Sequence, residues 1–223
     1  MLLLAADTSG KHGSIALARC ESGANCEVIE VVPLDGGTFS AQLVPQIAAL
    51  LAKHGFAKQD VGGFAVVTGP GSFTGLRIGL AVIKALAEVL AKPIAAVSLL
   101  EAIAVAGAAH GRVTAVLDAG RGDVYAGEYE VTSSGARLNG ERLLSRSELI
   151  ESAADSIVLT NDKRLIEAGR SAGLQVKEIE LPRSDVIARL GWKKILAGEI
   201  VSPGELDANY IRRSAEIFSK GSS

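Results

Sequence analysis

The sequence predicts an α/β protein of two related lobes, each a mixed sheet with helices. Three observations carry this. Strand-like and helix-like hydrophobic patterns alternate along all 223 residues. A strand, an aspartate, a glycine-containing turn and a second strand occur at Leu2–Ala18. The same order returns at Val113–Val131, with Asp118 lying 111 residues after Asp7. This is a repeat of pattern rather than of identity, and it places the lobes at 1–110 and 111–223.

The elements read as follows. Leu2–Ala6 is an uninterrupted apolar run, as expected of a buried strand, and Asp7-Thr-Ser-Gly10 is its turn. Ser14–Cys20 and Glu27–Val32 read as two further strands around the turn Glu21–Asn25. Leu43, Val44, Ile47, Leu50 and Leu51 recur at helical spacing, so Ser40–His54 is a helix. Its Pro45 sits in the first turns, where a missing N–H costs least. Phe64–Thr68 is a buried strand, and a long apolar helix pattern covers Thr74–Leu90. Ser98-Leu-Leu-Glu101 is a capping-box pattern that opens a helix to Ala109.

In the second half, strands are expected at Val113–Leu117, Val124–Val131, Arg137–Leu144, Ile157–Thr160 and Gln175–Leu181. Helices are expected at Ser147–Ala153, Lys163–Ala172 and Asp185–Ala197. The closing residues from Ser219 are expected to be disordered.

Composition narrows the function. Hydrophobic residues make up 48% of the chain and mean hydropathy is +0.29. Charged residues and glycines nevertheless break every apolar stretch before the ~18–20 residues a membrane helix needs. The N-terminus enters a strand directly, without a secretory signal pattern, so the expected location is the cytoplasm. Net charge is −2 without a basic run, which argues against strong direct nucleic-acid binding. Cys20 and Cys26 match no zinc or redox spacing and are expected to be free thiols, although they flank a turn.

The most specific motif is Gly69-Pro-Gly-Ser-Phe-Thr-Gly-Leu-Arg-Ile-Gly79, lying between a strand and a helix. Such turns often hold phosphate, because free N–H groups and the helix dipole favour an anion. The spacing fits neither common cradle. Gly69 and Gly75 stand one residue too far apart for a P-loop, with Leu76-Arg77 in place of Lys-Ser/Thr, and the dinucleotide spacing fails as well. Gly71, Gly75 and Gly79 instead recur at every fourth residue, a smooth face that lets another backbone approach. The helix behind them is apolar nearly all round. One side covers the sheet, and the other needs a helix of this chain or a partner subunit.

Asp7 and Asp118 each end a strand before a tight turn. Paired turns of this kind grip ATP phosphates and magnesium in actin-like ATPases and sugar kinases. Equally, an aspartate can simply cap its own turn. The absence of a Gly-Gly pair beyond residue 150 favours the cap. His12, His54 and His110 form no metal-binding motif, and Ser72 lies in no nucleophile elbow.

Leu4-Ala-Ala-Asp-Thr-Ser9, the Gly69–Gly79 run, Ser98-Leu-Leu-Glu-Ala102 and Asp118-Ala-Gly-Arg-Gly-Asp-Val-Tyr125 together resemble the TsaB (YeaZ) family. The resemblance runs across roughly the first 130 residues and is weak over 135–205. Tyr210-Ile-Arg212 is similar to the family's closing motif, with Ala208 where proline is usual.

The resemblance implies a shortened two-lobed actin-like ATPase fold kept as a non-catalytic scaffold, without metal. It implies a role in making threonylcarbamoyladenosine in tRNAs that read codons beginning with A. The implied partners are a TsaD-like catalytic paralogue, a TsaE-like ATPase, tRNA through the complex, and a second copy in a homodimer. No cofactor is expected to bind tightly, with ATP binding weak or absent. Family-motif residues are Gly69, Pro70, Gly71, Ser72, Phe73, Thr74, Gly75 and Arg77. Asp7, Thr8, Ser9 and Asp118 mark a vestigial nucleotide site. The interface expectation is Leu43, Ile47, Leu50, Gly75, Gly79, Ile83 and Leu86. Two other readings stay open: a small ATP-dependent phosphotransferase using Asp7 and Asp118, and a zinc peptidase.

Overall fold

The computed structural model describes residues 1–211 except Ser22, Ala24, Ala108 and Ser134. In chain order its elements are β1 (Leu2–Asp7), β2 (His12–Cys20), β3 (Cys26–Asp35), α1 (Phe39–Lys53), β4 (Val61–Gly69), α2 (Phe73–Leu90), β5 (Ile94–Ser98) and α3 (Leu99–Ala106). These are followed by β6 (Gly111–Gly120), β7 (Asp123–Thr132), β8 (Gly135–Ser145), α4 (Arg146–Ser152), β9 (Ile157–Thr160), α5 (Lys163–Ser171), β10 (Gln175–Glu178) and α6 (Ser184–Leu196). A single 3-10 turn, Lys58–Asp60, precedes β4.

The described residues divide into two units, Met1–Leu99 with Pro182–Asn209, and Leu100–Leu181 with Tyr210 and Ile211. The division therefore falls before α3 rather than at 110/111, and residues 182–209 return to the first unit. The reason is packing. α6 lies against the sheet of the first unit, and Gly191 sits so close to the Ala65 side chain that no Cβ would fit. Ser184 fastens the start of this helix to β2: its N–H donates to Ser14 Oγ at 2.9 Å and its hydroxyl to the Ser14 carbonyl at 2.7 Å.

The first sheet has the order β3-β2-β1-β4-β5, with antiparallel pairing on the β2–β3 side and parallel pairing on the β4–β5 side. Every residue of β1 is buried and nearly every one of β4, as expected of strands covered on both faces. The second sheet has the order β10-β9-β6-β7-β8 with the same alternation of pairing. The two sheets thus share one topology, and β1 and β6 are the equivalent central strands. Val116, Val124, Ala126, Leu149, Ala153, Val158 and Leu165 form a core of the second unit.

Several elements differ from the sequence expectation: β3, β4 and β6 are longer, running over Cys26–Asp35, Val61–Gly69 and Gly111–Gly120. β5 was not expected. It is a five-residue, alanine-rich strand whose hydrogen bonds come from β4, a partner that local pattern does not reveal. α3 ends at Ala106 rather than Ala109. β10 ends at Glu178, because β9, its neighbour, ends at Thr160. Arg212, Arg213 and the closing Ser-Lys-Gly-Ser-Ser lie outside the described residues.

Candidate functional site

β1 delivers Asp7, Thr8 and Ser9 to its C-terminal end, and all three are buried. One oxygen of Asp7, Oδ1, accepts both the Ser9 N–H at 2.8 Å and the Ser9 hydroxyl at 2.6 Å. The aspartate therefore caps its own turn, as the cap reading predicts. Burial raises the Asp7 carboxyl above the ordinary carboxylate range, and the two bonds from Ser9 offset this only in part. Asp118, in the second unit, is exposed within β6.

The glycine run meets this turn directly. Ser72 N–H donates to the Ser9 carbonyl at 2.6 Å, and Ser72 Oγ accepts the Gly75 N–H at 3.3 Å as the N-cap of α2. Two of the amides that a phosphate cradle would offer are thus engaged within the chain. The Gly69–Pro70 peptide bond is cis. A Cβ on Gly71 would overlap Ser9, one on Gly75 the Thr8 carbonyl, and one on Gly79 the Thr8 hydroxyl.

This corrects the interface expectation for Gly75 and Gly79. The glycine face does let a backbone approach, but it is the chain's own Thr8–Ser9 turn that fills it, and both glycines are buried. Leu43, Ile47, Leu50 and Ile83 need the same correction. They are 0, 5, 2 and 0% exposed within the first unit, so they belong to its core rather than to an open face. α1 packs on α2 and β3, and α2 packs on β4 and β1; this is where those side chains are buried. Only Leu86 of the expected set keeps partial exposure.

The open face of these helices holds other residues. On α2, Phe73, Arg77, Ala81, Ala85 and Val89 recur at every fourth residue and all are exposed, Phe73 by 53% and Val89 by 75%. On α1, Ala41, Val44, Ala48 and Ala52 are exposed, Val44 by 53%. Lys53 is the first charged residue of α1. Arg77 lies 3.8 Å over the Phe73 ring, which covers part of that aromatic. The C-terminal end of α1 is fixed to β3 by Glu30, which accepts from Lys53 and pairs with His54, both at 2.7 Å. These bonds hold the Glu30 carboxyl below its ordinary range. The sequence already carried the signal for this face. A helix of fifteen residues with no charge in its first fourteen has apolar residues left over once one stripe is buried.

Elsewhere, Cys20 and Cys26 are joined in a disulfide across the β2–β3 hairpin, against the expectation of free thiols. They are directly opposed in the strand register, with Cα atoms 4.1 Å apart. Among the described residues, no group of three or more His, Cys, Asp or Glu is placed to hold a metal ion. No described helix is long and apolar enough to cross a membrane.

Comparison with known proteins adds to this geometry. The family model described as TsaD, tRNA N6-adenosine threonylcarbamoyltransferase, matches residues 32–188. The chain is 31% identical to the tRNA threonylcarbamoyladenosine biosynthesis protein TsaB of Bacillus subtilis, over 92% of this chain and 85% of that protein. It is 27% identical to the Escherichia coli protein of the same name, over 96% of each. YeaZ from Pseudomonas aeruginosa superposes with a TM-score of 0.75 at 27% identity, covering 94% of this chain and all of the other. The shared topology of the two sheets fits the shortened actin-like fold of these proteins. The chain belongs to the TsaB (YeaZ) family.

Proposed function

We propose that this chain is a non-catalytic scaffold subunit in the biosynthesis of threonylcarbamoyladenosine in tRNA. It docks a TsaD-like catalytic paralogue, and a second copy of itself when alone, through the exposed face of α1 and α2. The complex then engages a TsaE-like ATPase and tRNA, in the cytoplasm. The names of the relatives support the pathway. The observation that carries the docking role is the uncharged stripe of Ala41, Val44, Ala48, Ala81, Ala85 and Val89. Apolar residues left exposed along two packed helices are costly in water and favour an interaction site there. The absence of catalysis and of tight ATP binding is supported by Asp7, whose Oδ1 is taken by Ser9, and by Ser72 and Gly75, whose N–H groups are taken within the chain.

The test is co-purification with the TsaD-like paralogue of the same genome. Val44→Asp and Val89→Asp place a charge on exposed positions, where the fold tolerates it within about 0.5 kcal/mol. Both are expected to lose the heterodimer. Undiminished recovery from both would overturn the docking role. Calorimetry with ATP and magnesium tests the remainder: micromolar binding abolished by Asp7→Ala would favour a phosphotransferase instead.

A further inference from the structure

We propose that Thr8 is a positioning residue for this docking surface: its buried hydroxyl seats the first turns of α2, and so sets where the Phe73–Val89 stripe stands. The proposal rests on the docking role argued above.

Thr8 is 3% exposed and lies in the turn after β1, far from α2 in sequence. Its Oγ1–H donates to the Gly75 carbonyl at 2.7 Å. Its backbone carbonyl lies against Gly75 and its side chain against Gly79, each too close for any other residue on α2. The next residue, Ser9, holds the helix entry by accepting the Ser72 N–H at 2.6 Å. Asp7 in turn holds Ser9 through two bonds to a single carboxylate oxygen. The chain of contacts runs from the central strand β1 through Asp7, Ser9 and Thr8 into α2. Phe73 and Arg77, the N-terminal part of the exposed stripe, flank the turn that Thr8 grips.

Hydrogen bonding is what distinguishes this role from space filling. Thr8→Val keeps the shape and removes the donor, whereas Thr8→Ser keeps the donor and removes a methyl. If Thr8 merely filled space, the serine variant would be the damaging one. The proposal expects the reverse. In the full chain, amide hydrogen exchange over Phe73–Leu80 should rise about tenfold in Thr8→Val, as follows from losing one buried hydrogen bond, and stay near wild type in Thr8→Ser. Association with the paralogue should weaken by a similar factor in the valine variant only.

Wild-type exchange over Phe73–Leu80 in Thr8→Val overturns the proposal. So does faster exchange in Thr8→Ser than in Thr8→Val. If Val44→Asp and Val89→Asp both leave association intact, the docking role fails, while the exchange comparison still decides whether Thr8 seats α2. Should Thr8→Val not fold, Thr8→Ala set against Thr8→Ser carries the same test: both lose the methyl, and only the alanine loses the donor to the Gly75 carbonyl. Equal exchange over Phe73–Leu80 in these two variants overturns the proposal.

Discussion

Ile83 and Val89 lie six residues apart on one helix, and the structure gives them opposite roles. Ile83 is fully buried within the first unit, and Val89 is 75% exposed. Ile83→Ala removes three buried carbon groups at ~0.8 kcal/mol each and leaves a cavity, so the isolated chain should lose about 2–5 kcal/mol. Val89→Ala puts at stake only a quarter of the ~1.5–3 kcal/mol that full burial of valine is worth, or ~0.5 kcal/mol. The assay is urea unfolding followed by fluorescence. Trp192 is the single tryptophan and lies on α6 of the same unit. Chain concentration is kept low enough that self-association contributes nothing. Ile83→Ala within about 0.5 kcal/mol of wild type would refute the assignment of Ile83 to the core. Equal losses in the two variants would refute the division of α2 into a buried and an open face.

Asp7→Asn should change the pH dependence of stability. The folded-state pKa of Asp7 is raised by burial, so the folded chain holds this proton more tightly than the unfolded one. Its contribution to stability therefore falls as pH rises from the unfolded value through the raised folded value. The asparagine variant loses that slope while still accepting from Ser9; urea midpoints followed upward in pH from the ordinary carboxylate value of 3.8 that keep the wild-type slope would sink the idea. Breaking the Cys20–Cys26 bridge, by Cys→Ser at both positions, opens a loop of sequence separation 6 and should cost about 2 kcal/mol on chain entropy; unchanged unfolding of the oxidised wild type on adding reductant would contradict this. Ser184→Ala removes the hydroxyl that donates to the Ser14 carbonyl, for an expected loss of ~0.5–1.5 kcal/mol, measured by the same unfolding assay.

Local pattern was enough to read most of the elements, because burial on both faces makes β1 and β4 continuous apolar runs and burial on one stripe makes α1 periodic. It was also enough for the repeat. Asp7 and Asp118 occupy the equivalent central strands of two sheets with one topology. β5 escaped because a short parallel strand takes its hydrogen bonds from a neighbour distant in sequence. The cysteine pairing escaped for a related reason. Opposition across a hairpin depends on register, which spacing alone leaves undetermined.

The sequence by itself determined the α/β class, the duplicated lobes and the TsaB (YeaZ) family. All three rest on the order and spacing of residues along the chain, which the Gly69–Gly79 run and the Asp7 turn already display. Tertiary structure alone decided what touches what. A four-residue glycine period says that something comes close, but not whether it is a partner or the chain's own Thr8. An apolar helix says that two sides want cover, but not which side the sheet takes. Packing resolved both, burying Ile83 and leaving Phe73 and Val89 in the open.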